Sequence, residues 1–378
     1  MNRGILRERR LKSGRHIGFI RAGRFVTLVL ALCLLCGACA NAEGFEPVRA
    51  TVTGTDQFED IMLDLEQIDL EYGDSVDISF SGGYEFKAVP YYPDFYGKKD
   101  SAILTDHFHV ICVAGIGCSL NLDAGIKPGE TATITLEQKG RYRAEFEAYN
   151  IRDARYRVDD QTAEAFSNAR EVAVGNIRPG RLHRGSSPFD QNFGRVGLMG
   201  SYIVAHDIRA ILDLTDTPER LAASEGLPDH TAAMIAQGRV VACPISVDYM
   251  EPEAMHSIGE GLARLTELEG PWLIHCNLGR DRTGVICAVL EALCGATYDE
   301  IVQDYMFSYD QLHDIDMNPE SLQYRLFKLR IDELIAEIFG TEIEALPGID
   351  LRQAASDYLM QCGMTEDQID RLVRLLTD

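Results

Sequence analysis

Positive charge is scarce in this sequence. Thirty-six lysines and arginines face 59 aspartates and glutamates, for a formal charge of −23 over 378 residues. The scarcity is sharper than that total. Eight bases (Arg3, Arg7, Arg9, Arg10, Lys12, Arg15, Arg21, Arg24) and one acid, Glu8, fall in residues 1–42, which leaves 28 bases against 58 acids, net −30, beyond them. So acidic a body is repelled by nucleic acid and by anionic membranes, which excludes both as its partners. A polyanionic substrate must be captured by a local positive site, against the global field.

Also missing is an apolar run of the ~20 residues a spanning helix needs. The nearest approach, "FVTLVLALCLLCGACA", is about 16 residues long; it follows a basic region and precedes Ala40-Asn41-Ala42. That is the plan of a secretory leader over residues 1–42. Retention as an uncleaved anchor, or lipidation at Cys39, are the rival outcomes, and only through them does the chain touch a membrane. Each places the protein outside the cytoplasm, secreted or anchored at the surface. Paired cysteines are lacking too. Cys33, Cys36 and Cys39 belong to the leader; the seven that remain (Cys112, Cys118, Cys243, Cys276, Cys287, Cys294, Cys362) are an odd number, which fits no full disulfide framework. Cys112 and Cys118 could pair across a turn or be two small core residues. There are no internal repeats and no low-complexity tract. His107 and His109 alternate on one predicted strand, but without a carboxylate-and-cysteine pattern they read as ordinary surface or half-buried residues. No metal and no cofactor is expected.

What is present falls into two textures. Residues 43–148 read as a small all-β region, a sandwich or barrel: "EPVRATVTG", "SVDISFSG", "AILTDHFHVICVAG", "ATITLEQKG" and "RYRAEFEAY" cluster β-formers between turn signals. Residues 149–164 are polar and read as a linker. From 165 to 346, strand and helix patterns alternate, which predicts an α/β domain with a mostly parallel sheet flanked by helices. Residues 347–378 read as its helical extension. Ligands in such folds sit at the carboxyl ends of strands, and "PWLIHC" ends at Cys276.

The chemistry lies in "HCNLGRDRTG", residues 275–284, between that strand and the apolar helix "RTGVICAVLEALCG". Cys276 opens the turn and Arg282 closes it. The amides of Asn277, Leu278, Gly279, Arg280, Asp281 and Arg282 can converge on one point as an anion nest, and the helix adds its positive end. Such a turn favours a thiolate and fits three phosphate oxygens, with Arg282 supplying a planar fork. Gly279 permits the tight turn and the close approach. In-line attack by Cys276 gives a phosphocysteine. Thr283 is placed to hydrogen-bond the sulfur, and Gly284 completes the phosphate-binding set. The bland alternative, a buried core cysteine, suits Cys243, Cys287 and Cys294 but leaves the glycines and arginines around Cys276 unexplained. A chance H-C-x-x-G-x-x-R-[ST]-G occurs in roughly one in ten thousand chains or fewer.

The segment resembles the signature of the cysteine-based protein tyrosine phosphatase superfamily. Within it the chain is similar to the bacterial tyrosine and dual-specificity group, which includes phosphoinositide-active enzymes and whose loop reads His-Cys-x-x-Gly-Lys-Asp-Arg-Thr-Gly. The likeness runs over about residues 165–378. "NIRPGRLHRGSSP" resembles the entry strand, with Arg184 and Ser186 at its Arg-Ser step, and "ILDLTDTPE" the Asp-Leu-Arg strand end. "YLMQCGMTEDQIDRLVRLL" resembles the closing helices. Arg280 stands where the group has Lys, and Thr215 where it has Arg.

The leaving oxygen needs a proton, and two acids compete for that role. Asp281, inside the loop, is the residue the resemblance favours; its bland alternative is a helix N-cap. Asp248, in "CPISVDYMEP", lies on a separate loop, as in dual-specificity enzymes. His275 is expected to orient the loop through a hydrogen bond. Arg280 either reaches a second phosphate or is a solvated loop charge. Asp213 and Asp216 brace the loop or cap "TPERLAASE". The expectation is a phosphomonoester hydrolase acting on a phosphorylated protein or a phosphoinositide. The rivals are an inositol-polyphosphate phosphatase on the same fold, a silent protein that binds through its β region, and a rhodanese-like sulfurtransferase, whose loop usually lacks the Arg-Thr-Gly exit.

Overall fold

The computed structural model describes residues 45–56, 59–107, 109–116, 118–159 and 161–378. The expected leader lies outside them. Phe45–Asp378 form one compact unit, and no described helix is long and apolar enough to cross a membrane.

Seven strands come first: β1 (Val48–Thr55), β2 (Ile61–Leu63), β3 (Ser75–Phe80), β4 (Glu85–Tyr92), β5 (Ala102–Thr105), β6 (Cys112–Gly115) and β7 (Thr131–Gln138). They close into a barrel in the order β1-β2-β6-β5-β4-β3-β7, with β7 pairing back onto β1, so that no edge is left unpaired. Alternation fills the interior with Val52, Ile61, Val76, Ile78, Val113 and Ile134. Two expectations fail in this region. His107 and His109 are not on a strand; they lie in the connection between β5 and β6, His109 at φ 62°. "RYRAEFEAY" is a helix, Arg143–Tyr149. Its apolar residues Tyr142, Phe146 and Tyr149 fit spacing i, i+4, i+7 as well as they fit a strand, and the helix is chosen because that face finds rings to cover it: Phe146 packs against Tyr72 and Tyr92, Tyr149 against Tyr96 and Phe327.

The second sheet is built from β8 (Arg170–Glu171), β9 (Leu182–Ser186), β10 (Ala210–Asp213), β11 (Val240–Ala242) and β12 (Trp272–Cys276) in the order β11-β10-β12-β9-β8. The pairs β11–β10, β10–β12 and β12–β9 are parallel; β9–β8 is antiparallel. Side chains sort by period two into separate cores. Trp272 and Ile274 of β12, with Ala210 and Leu212 of β10, pack toward one set of helices. Leu273 and Ile211 pack on the other face against Met199 and Ile203 of the Val196–Ala205 helix. A sheet covered on both faces needs apolar strands, which is why β10 and β12 are buried throughout. The Asp281–Leu293 helix is buried from Thr283 onward and, Thr283 and Glu291 apart, apolar along that stretch, as befits a central helix.

Register places the site. Asp213 pairs with His275, and Ser186 with Cys276. The carboxyl ends of β10, β12 and β9 therefore open side by side at one edge of the sheet.

Candidate active site

Cys276 is buried, 4 % exposed, at the end of β12. The chain then reverses through Asn277–Arg280 into the Asp281–Leu293 helix. Gly279 has φ +68°, and a Cβ there would lie 2.2 Å from the Gly185 carbonyl oxygen; only glycine fits.

The loop's carbonyls are collected from behind. Asn168 Nδ2 donates to the carbonyls of Leu278 (3.2 Å) and Gly279 (2.9 Å). Arg184 Nη2 donates to those of Gly279 (2.9 Å) and Arg280 (3.2 Å). Both donors are almost fully buried. Arg170 Nη1 holds Asn168 Oδ1 (2.7 Å) and its Nε meets Asp304 Oδ1 (3.0 Å), while Arg184 Nη1 meets Asp304 Oδ2. One carboxylate thus anchors both arms. Desolvation pushes the Asp304 carboxyl up, but the charges of Arg184 and Arg170 outweigh it and hold it below the ordinary range. Glu291, buried beside Asp304, is pushed well up by desolvation and then by the neighbouring carboxylate, so it stays neutral. With the carbonyls facing backward, the loop amides face the mouth. The helix that follows receives no side-chain cap from Arg280, its N-cap residue, and its first-turn amides have no intrahelical acceptors.

Asp281 is therefore the first helical residue and not the cap. Arg280 grips it with two hydrogen bonds, Nε to Oδ1 (3.0 Å) and Nη2 to Oδ2 (2.9 Å). Desolvation raises the Asp281 carboxyl, but the Arg280 charge and those bonds overcome it and hold the group below the usual carboxylate value. Arg280 is neither a solvated charge nor free. Its guanidinium carbon lies 4.9 Å from the Tyr309 ring centroid, and Nη1 meets His313 Nε2. Asp248 sits on an exposed loop, where Oδ1 accepts from the amides of Met250 and Glu251, both at 3.1 Å.

Arg282 bridges the strand ends. Nη1 donates to the carbonyls of Leu214 (3.1 Å) and Ile245 (3.3 Å), and Nη2 to Asn277 Oδ1. Asn277 Nδ2 in turn donates to Asp190 Oδ2 at 3.0 Å. Thr283 is fully buried, and its hydroxyl has no partner among the described groups. Gly284 serves packing: its amide donates to the Arg280 carbonyl (2.8 Å), and a Cβ would lie 2.6 Å from the Tyr305 ring. Among the described residues neither ring nitrogen of His275 has a hydrogen-bond partner. Its Nε2 lies 3.7 Å from Asp213 Oδ1, and burial holds the imidazole neutral, pushed down to about 3. Asp213 Oδ1 accepts from the amides of Thr215 (2.8 Å) and Asp216 (3.2 Å) and so shapes the strand end; its own carboxyl is pushed up to about 6 by desolvation. Thr217, not Asp213 or Asp216, caps the Pro218–Ala222 helix.

The other thiols differ from Cys276 in setting. Burial pushes Cys112, Cys243, Cys287 and Cys294 up to about 12 and Cys362 to about 11, so all five are protonated core groups.

A model of the tyrosine phosphatase family matches residues 161–378. The chain belongs to the tyrosine phosphatase family. It is a cysteine-dependent phosphatase. The family match begins after the barrel. No curated protein matches the chain. Among solved structures it is similar to the core catalytic domain of the S. cerevisiae PP-IP phosphatase SIW14 in complex with citrate, at 20% identity over 46% of this chain and 91% of that one, TM-score 0.27. It is similar to a putative phosphatase from Neisseria meningitidis at 19% identity, over 42% of this chain and 97% of that one, TM-score 0.23. P. aeruginosa TpbA in complex with phosphotyrosine is 16% identical over 50% of this chain and 96% of that one, TM-score 0.25.

Asn168, Arg170, Asp190, Asp304 and Tyr305 escape the sequence reading of this phosphatase. The loop motif fixes Cys276 through Gly284, whereas these five come from elements far along the chain, and only the sheet register and helix packing bring them in.

Proposed function

We propose that the phosphatase hydrolyses phosphomonoesters, phosphotyrosine in proteins first among them, through a phosphocysteine on Cys276. The observation that carries this reading is the backward pull on the carbonyls of Leu278, Gly279 and Arg280 by Asn168 and Arg184. Each peptide's amide points opposite to its carbonyl, so the amides of Gly279, Arg280 and Asp281 are left for the three outer phosphate oxygens. Arg282, poised between two strand ends, exchanges its carbonyl partners for two of those oxygens. The Cys276 thiolate attacks phosphorus; an S–P bond forms and the P–O bond to the leaving group breaks. Asp281 gives that oxygen its proton. Water then attacks phosphorus, Asp281 takes a proton from it, and the S–P bond breaks with the Thr283 hydroxyl bonding the departing sulfur. Asp281 is preferred to Asp248 because it opens the helix that follows Cys276, inside the signature loop, whereas Asp248 sits on a separate exposed loop. The N-terminal pattern supports export.

The test is turnover by the reduced protein on phosphotyrosine peptide, phosphoinositide and inositol hexakisphosphate, with Cys276→Ser as control. Hydrolysis of the peptide, lost at least about a thousandfold in Cys276→Ser, is expected. Absence of hydrolysis of every phosphomonoester sinks the reading, and preference for either inositol substrate replaces the substrate class.

A further inference from the structure

The barrel lies outside the family match, and nothing above gives it a part in the chemistry. Two lines of contact run from its exit to one side chain of the signature loop.

The first is a column of rings. Tyr92, the last residue of β4, packs against Tyr96 at 6.1 Å between centroids, and Tyr96 stacks on Tyr149 at 5.1 Å and 8°. Tyr149 meets Phe327 edge-on at 5.9 Å; Phe327 meets Tyr309 at 4.7 Å. Arg280 lies over Tyr309. The contacts run edge-on, stacked, edge-on and tilted along the column, so each ring limits the tilt of the next. The second line is polar. His313 Nδ1 lies 2.7 Å from the Arg152 carbonyl. A carbonyl only accepts, so Nδ1 carries the proton, and the bare Nε2 is left to accept from Arg280 Nη1. Arg152 secures this arrangement by donating from its own guanidinium to the carbonyls of Gln311 (3.2 Å) and Leu312 (3.3 Å) at the end of the same helix. The imidazole stays neutral, pushed down to about 4 by burial and then by the Arg280 charge. Arg280 is therefore held on its face by Tyr309 and on its edge by His313. Both holds lead back to the four residues 149–152 that leave the barrel.

We propose that the Tyr149–Arg152 joint positions Arg280, so that docking of the barrel sets the geometry of the signature loop, with Tyr149 and His313 as positioning residues. The proposal rests on the phosphatase reading of that loop. In the full chain, Tyr149→Ala is expected to lower kcat/KM on phosphotyrosine peptide about tenfold, with Tyr149→Phe near wild type, and to have no further effect in an Arg280→Ala background. Equal losses in both backgrounds would mean that Tyr149 merely packs, and would overturn the proposal. Because Tyr149→Ala empties a buried site, a second pair of variants guards against simple misfolding. His313→Gln puts a carbonyl oxygen where Nε2 stood and keeps an acceptor for Arg280; His313→Asn keeps only the position of Nδ1. The glutamine variant is expected to stay near wild type and the asparagine variant to fall to the level of Arg280→Ala; equal activity of the two overturns the proposal. Should the wild type show no turnover, the phosphatase reading fails, and ¹⁵N NMR of labelled histidine decides the positioning separately. The His313 Nε2 resonance should move on Arg280→Ala and by a similar amount on Tyr149→Ala. A resonance that ignores the tyrosine change refutes it.

Discussion

At the scale of single residues, the loop between Cys276 and Gly284 was readable because its chemistry demands fixed types at fixed spacing. Gly279 is there for its φ of +68° and the Gly185 carbonyl behind it, and Arg282 for its fork. What the spacing could not reveal was how Arg280 and Asp281 dispose of each other. Adjacent residues of opposite charge read as two separate groups; folded together on the helix N-terminus, they form a doubly bonded pair. That pairing fixes a pH dependence. A general acid works only while protonated, so activity falls as pH rises through its pKa. Arg280 holds the Asp281 carboxyl down, so the descending limb of kcat/KM should lie in the acid range. Removing the opposing charge in Arg280→Met takes away the largest influence that holds the carboxyl down, so the same limb should move to higher pH by about one unit. Profiles of the two proteins on one small aryl phosphate check this. A limb that stays in place would take the proton-donor role away from Asp281.

At the scale of elements, strands with turn signals and helices with clear termini were legible. "PWLIHC" and the helix after the loop sit where period and flanks put them. Failures occurred where two periods fit equally, as in Arg143–Tyr149, or where a run of β-formers hid a turn, as at His107–His109. Arg170, Arg184 and Asp304 stayed partly or wholly hidden for another reason. Each belongs to a different element, and no local pattern says that β8, β9 and the Tyr298–His313 helix share a buried charge cluster under the loop. The cluster also yields a measurable consequence. Asp304→Asn leaves Arg170 and Arg184 buried without their shared counter-charge, a loss of about 3–5 kcal/mol in denaturant unfolding. The same change loosens both arms on the loop carbonyls, so in the folded variant vanadate affinity should drop about tenfold. Undiminished vanadate affinity alongside the stability loss would confine Asp304 to holding the fold.

At the scale of the whole molecule, composition foretold an acidic body but not the closure of its seven N-terminal strands into a barrel, because closure depends on β1 pairing with both β2 and β7 across most of the region. The charge leads to a prediction of its own. Beyond residue 42 the chain carries a net −30, while the cations at the loop are few and engaged: Arg280 by Asp281, Arg282 by carbonyls, Arg184 by Asp304. The far field opposes a dianionic phosphate, while the near field of loop amides and Arg282 acts only within a few ångströms. Salt screens the first and scarcely touches the second, since the Debye length is about 10 Å at 0.1 M. Raising ionic strength should therefore increase kcat/KM for a phosphopeptide with acidic flanks, by roughly threefold between about 0.02 and 0.3 M, mostly through KM. A peptide with basic flanks is drawn in by the same far field, so its kcat/KM should fall over that range. If both peptides slow with salt, attraction at the mouth outweighs the acidic body, and the local site governs encounter as well as binding.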